Sequence, residues 1–158
     1  MVEAFLGVHE IDFLIDIAIS LIAGVLIGAE RESRGKPAGI STHSFVIGGS
    51  MIFTYLSALV DPNSTSRIAA QLVTGIGFLG AGVILKGEID GKNGEADSSK
   101  VINLTTAASI WFSAAIGMAI GFNYYLVAIV SIAFAVLVPR IPSIKKRSRS
   151  SDHDYDNK

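Results

Sequence analysis

Asp12 and Asp16 stand one helical turn apart, and Arg67 and Gln71 repeat that spacing farther along the chain. Gathered at one end of a helical bundle, these side chains could hold a hard cation such as Mg2+, which takes carboxylate oxygens and keeps several of its waters. The plainer alternative is that Asp16 pairs with Arg67, so that neither charge stands alone in a membrane. A second polar group comprises Glu30, Arg31, Thr42, His43, Lys86, Asn103, Thr105 and Thr106. It reads either as interfacial anchoring with Thr42 or Asn103 capping a helix, or as a docking or switching site in which His43 changes charge near neutral pH. Catalysis has little to draw on. There is no Ser–His–Asp order and no metal motif with His spacing. The chain has no cysteine, hence no thiolate and no sulfur-bound zinc. The run GIGFLG at 75–80 lacks the strand, loop and lysine of a phosphate cradle. No catalytic residue and no cofactor are expected, with Mg2+ the one candidate ion at Asp12, Asp16 and Gln71.

The elements that must position these residues follow from where charge is missing. Half of the 158 residues are hydrophobic and only 17% are charged, against about 25% in a soluble domain. A net charge of −1 gives no basic face for a nucleic acid. Charge-free stretches cover 17–29, 37–60 apart from His43, 68–85 and 104–138. A helix crosses a bilayer core with roughly 20 mostly apolar residues. The first stretch is too short and must reach back to Ile11, taking in Asp16. The last is long enough for two helices, and Gly121, Phe122, Asn123, Tyr124 and Tyr125 suit a tight turn with tyrosines at the water interface. The expected architecture is an all-α integral membrane protein, a compact bundle of five transmembrane helices near 11–29, 44–60, 68–86, 104–121 and 124–138. These form a membrane domain over 1–140, followed by a charged, disordered cytoplasmic tail over 141–158. The start of the chain carries Glu3 and Glu10 and no basic residue, unlike a signal peptide.

With five spans, every Lys and Arg of the 13 except Arg67 falls on one side. The positive-inside rule makes that side cytoplasmic, with the N-terminus outside and the C-terminus inside. Small residues four apart let helices approach closely in lipid. Such pairs are Gly24 and Gly28 on the first helix and Ser109, Ser113, Gly117 and Gly121 on the fourth. The third carries Gly75, Gly77, Gly80 and Gly82, more than one packing face requires. Packing within one chain accounts for these strips. The alternatives are a homodimer seam on the fourth helix or an unwound third helix lining a path.

Three stretches carry a family resemblance. LIGAERESRGKPAGISTHSFV at 26–46, DPNSTSRIAAQLVTGIGFLGAGVILK at 61–86 and NLTTAASIWFSAAIGMAIG at 103–121 resemble, in order, the signatures of the MgtC/SapB membrane-protein family. The resemblance covers nearly all of 20–138. It implies a multi-spanning protein of the inner membrane, linked to adaptation to low magnesium and, in pathogens, to survival inside host cells. Family members are not established Mg2+ transporters. The best-known one is associated with restraining the proton-driven ATP synthase through helix contacts in the membrane. The family's polar positions fall here on Glu30, Arg31, Thr42, His43, Arg67, Gln71, Thr105 and Thr106. The implied role is therefore non-enzymatic, with the bilayer and a larger membrane complex such as ATP synthase as partners, and with Mg2+ or proton transport as the alternative.

Some features depart from the family pattern. Ser41 precedes Thr42 and His43 where the family commonly has arginine, so one cation is lost. Members often carry a basic residue near the position of Asp16, which sets the carboxylate pair apart from a family-wide site. Many members continue into a soluble, ligand-sensing C-terminal domain, whereas this sequence runs only to Lys158, so regulation through that domain is expected to be absent. The stretch KGEIDGKNGEADSSK at 86–100 is expected to be a flexible cytoplasmic loop. Pro139 and Pro142 stop the fifth helix. Lys145, Lys146, Arg147 and Arg149 are expected to anchor the tail to anionic lipid, at about 1 kcal/mol per basic residue.

Overall fold

The computed structural model describes residues 8–89 and 103–141. Of the stretch 86–100 expected to be a loop, residues 86–89 are helical instead; the rest of it and all but the first residue of the tail lie outside the described residues. Five α-helices follow in order: α1 Val8–Ser33, α2 Ile40–Val60, α3 Thr65–Ile89, α4 Leu104–Gly121 and α5 Tyr125–Leu137, the last extended by a 3-10 turn Val138–Arg140. Four are long and apolar enough to cross a membrane; the fifth, Tyr125–Arg140, is shorter. α1 and α3 overrun their charge-free stretches at both ends, because a helix keeps its hydrogen-bond ladder where its side chains turn polar, whereas α2, α4 and α5 lie within theirs.

The distribution of polarity is inverted relative to a water-soluble bundle. Phe45, Phe78 and Val60 are more than 80% exposed, whereas Asp16, Ser20, His43, Thr54, Thr106 and Ser113 are buried. Lipid-facing helices expose their apolar side chains and turn polar ones toward one another, since hydrocarbon offers no hydrogen bonds.

α2 and α4 form the middle of the bundle. α1 packs chiefly on α2, α3 chiefly on α4, and α5 on α4 and α1. One core joins Ala23 and Ile27 of α1, Ile47 and Met51 of α2, Ile116 and Ile120 of α4 and Ala128 of α5. A second, smaller core sets Ile76 of α3 against Ile110 and Ala114 of α4, with Ala38 alongside. Glycine makes the central contacts this close. A Cβ on Gly28 would run into the Ile40 backbone and one on Gly24 into Ser44. On α4, a Cβ on Gly117 would strike the Ile47 carbonyl, and one on Gly121 would lie 2.6 Å from the Met51 carbonyl oxygen. The α4 strip is therefore covered by α2 of the same chain. The α3 glycines behave differently: Gly75, Gly77 and Gly82 have nothing within 4 Å of a Cβ position, and Gly80 meets only Ala107 at ordinary contact distance.

The connections carry their own chemistry. Gly35, at φ +64°, turns the chain out of α1. The first N–H of α2, on Ile40, donates to Glu32 Oε1 at 2.9 Å. Glu32 thus does the capping expected of Thr42, which lies inside α2. Asn103 precedes α4 at φ 63° without a side-chain cap; its Nδ2 instead donates to the Val83 carbonyl at 3.4 Å. The turn after α4 is as tight as its sequence suggests. Asn123 takes φ 62°, and the Tyr124 N–H reaches back to the Ala119 carbonyl at 2.8 Å, closing the helix with a left-handed residue. The two tyrosines part company here: Tyr124 is 64% exposed, while Tyr125 turns inward.

Candidate functional site

Antiparallel and parallel packing bring two sets of polar residues to opposite ends of the bundle. At the end holding the α1–α2 loop, Arg31 is buried and its Nη2 donates to Thr106 Oγ1 of α4 at 3.1 Å. Gly28 permits this by drawing α1 onto the start of α2, so that a side chain one turn later spans to α4. Glu30, also buried, forms an ion pair with Arg34 one turn on. The buried Glu30 Oε2 and Arg31 Nε have no hydrogen-bond partner among the described residues. His43 of α2 is fully buried; its Nδ1 lies 2.8 Å from the Gly39 carbonyl oxygen. A carbonyl only accepts, so the proton of the neutral ring sits on Nδ1. The Nε2 faces Ser109 Oγ at 3.4 Å, while the Ser109 hydroxyl donates to the Thr106 carbonyl at 2.8 Å. Arg31, His43, Thr106 and Ser109 thus meet where α1, α2 and α4 come together, with the Glu30–Arg34 pair beside them. Thr42 is half-buried beside them and Thr105 faces outward.

The Ser109–His43 contact does not make a hydrolase site. The serine proton is already given to a carbonyl, the distance is long for a hydrogen bond, and His43 has no exposed surface for a substrate to meet.

At the other end the expected cluster of Asp12, Asp16, Arg67 and Gln71 divides. Asp16 lies inside the bundle, where the Tyr125 hydroxyl donates to its Oδ1 at 2.9 Å. Asp12, one turn earlier, is exposed. Arg67 and Gln71 line a groove between α2 and α3. Asp16 and Arg67 form no ion pair, and among the described residues no three His, Asp or Glu side chains meet as a metal site. The Oδ2 of Asp16 has no partner among the described residues, nor do the buried hydroxyls of Ser20, Ser50, Thr54 and Ser113. Those of Ser20, Ser50 and Thr54 lie near the level of Asp16, whereas Ser113, one turn before Gly117 and its contact with Ile47, lies toward the His43 end. Gly28 faces Ile40 and Gly24 faces Ser44, and the same antiparallel step carried on sets Asp16 between the levels of Ser50 and Thr54. Sequence reasoning placed Asp16 at depth but missed Tyr125, because paired tyrosines beside a turn read as an interfacial belt. The need of a buried carboxylate for an O–H donor at its own depth was the available signal.

The sequence matches the MgtC family over residues 17–146. The protein named MgtC of Salmonella typhimurium (strain LT2) is 41% identical over 113 residues, covering 72% of this chain and 45% of its own length. MgtC of Brucella abortus is 41% identical over 123 residues, with 77% and 48% covered. YhiD of Escherichia coli (strain K12), named as a candidate magnesium transporter, is 40% identical over 139 residues, with 80% and 59% covered. The chain spans about half the length of these relatives, and no solved structure matches it. With its apolar spans and buried polar locks, the chain belongs to the MgtC family as a multi-pass protein of the bacterial inner membrane.

Proposed function

We propose that this protein is a non-enzymatic regulator serving adaptation to low magnesium, and that it acts by pressing α3 against a larger membrane complex. The observation that carries the proposal is the one-sided seating of α3. Ile76 holds it to α4, while Phe78 is 84% exposed and Gly77 and Gly82 have open space around their Cβ positions. Small residues beside a protruding ring give a partner helix a groove and a knob. The homodimer seam considered for α4 has less support, because α2 covers that strip. ATP synthase is the complex the family resemblance implies. The test is co-purification with ATP synthase from native membranes. Gly77→Leu with Gly82→Leu is expected to abolish co-purification while leaving insertion intact; retention at wild-type yield contradicts the proposal.

Asp16 favours a second reading, transport of Mg2+ or protons. A carboxylate with a free buried oxygen, set among unpartnered hydroxyls, is the feature an ion path through a membrane would use. Mg2+ flux into liposomes holding the purified protein, followed with an entrapped dye, separates the readings. Saturable flux that falls in Asp16→Asn supports transport; flux no higher than in empty liposomes removes it.

A further inference from the structure

We propose that the groove between α2 and α3 is a binding site for a phospholipid with an ethanolamine headgroup. Both helices lean on α4 and touch each other little. They leave a furrow of about 630 Å3 near Asp61 that continues as a further 310 Å3 toward the bundle middle. The furrow is graded in chemistry along its length. Asp61 and Arg67 line its mouth, Gln71 lies where the two parts meet, and Phe53, Leu72 and Gly75 line the inner part. Arg67, Gln71 and Gly75 stand four residues apart on one side of α3, so each step descends about 6 Å. A phospholipid presents the same order: phosphate, glycerol esters, acyl chain.

Each position has a matching role. Arg67 offers a planar fork of N–H donors suited to phosphate oxygens. Among the described residues it has no ion-pair partner. The Gln71 amide can donate to an ester carbonyl one turn deeper. Gly75, with nothing within 4 Å of its Cβ position, leaves room for an acyl chain against Phe53. Asp61 selects the headgroup. It lines the same mouth as Arg67 without forming an ion pair with it, so the groove presents separated charges of opposite sign. An ethanolamine ammonium donates hydrogen bonds to Asp61 while its phosphate meets Arg67. Choline has no N–H to donate, and a glycerol headgroup leaves the carboxylate without a counter-charge.

The test is native mass spectrometry of the full chain, offered phosphatidylethanolamine, phosphatidylglycerol and phosphatidylcholine with identical acyl chains. The wild type is expected to retain the ethanolamine lipid severalfold more than either other. Arg67→Gln is expected to lose retention of all three, and Asp61→Asn to bind the ethanolamine and glycerol lipids equally. Gly75→Leu fills the furrow where no protein atom stands, so it is expected to lose the lipid with its helical circular dichroism unchanged. Equal retention of the three lipids by the wild type overturns the proposal. So does ethanolamine-lipid retention that survives both Arg67→Gln and Gly75→Leu.

Discussion

Thr105 and Thr106 are adjacent in sequence, and only their burial separates them. Thr106 accepts from the guanidinium of a fully buried arginine, whereas Thr105 points outward. Thr106→Val keeps the shape but leaves an Arg31 donor unmet, and a buried polar group without its partner costs about 1–3 kcal/mol. Thr105→Val is expected to cost less than about 0.5 kcal/mol, as exposed substitutions usually do. SDS-driven unfolding of the two variants checks the contrast; equal losses would mean that the Arg31 link carries no stability. At this scale the polar lock was partly legible. Glu30, Arg31, His43 and Thr106 stood out because charge and hydrogen-bonding groups at membrane depth are costly. Their pairing was not legible: Thr106 continues the side of α4 that carries Ser109, Ser113 and Gly117, but spacing alone does not say which helix that side meets.

Glycine on α3 and glycine on α4 look alike in sequence and do opposite work. Gly117 and Gly121 let α4 lie against the α2 backbone, so Gly117→Ala forces the helices apart at a cost of about 1–3 kcal/mol. Gly77→Ala meets no neighbour and adds helix propensity, so it is expected to be neutral or to stabilise by up to about 1 kcal/mol. The same unfolding assay, run on both single variants, decides this; a loss at position 77 as large as at 117 would place a hidden contact on α3. The helix order and near-boundaries were readable from the gaps between charges, since bilayer thickness sets span length. The division of labour among glycines was not, because small-residue spacing permits close packing without saying against what.

At the scale of the whole molecule, buried polar residues lie inside an apolar shell, and among the described residues Arg31, Arg34 and Lys36 stand at one end with Arg67 at the other. That asymmetry is expected to fix the basic end in the cytoplasm. The cysteine-free chain makes the test direct. A cysteine placed by Asn63→Cys should react with a membrane-impermeant maleimide in intact cells, and one placed by Lys36→Cys should react only after permeabilisation. The reverse pattern inverts the topology. The outward side of α3 is one of the apolar faces left uncovered among the described residues, and the regulatory account rests on that side meeting another protein. The most direct measurement is photo-crosslinking in native membranes from a reactive residue placed at Phe78, with Val130 on exposed α5 as the control. The account predicts a discrete adduct with a membrane-protein subunit from position 78 that is absent from position 130 and lost in Gly82→Leu. Crosslinking to lipid alone from position 78, or the same adduct from both positions, would contradict it.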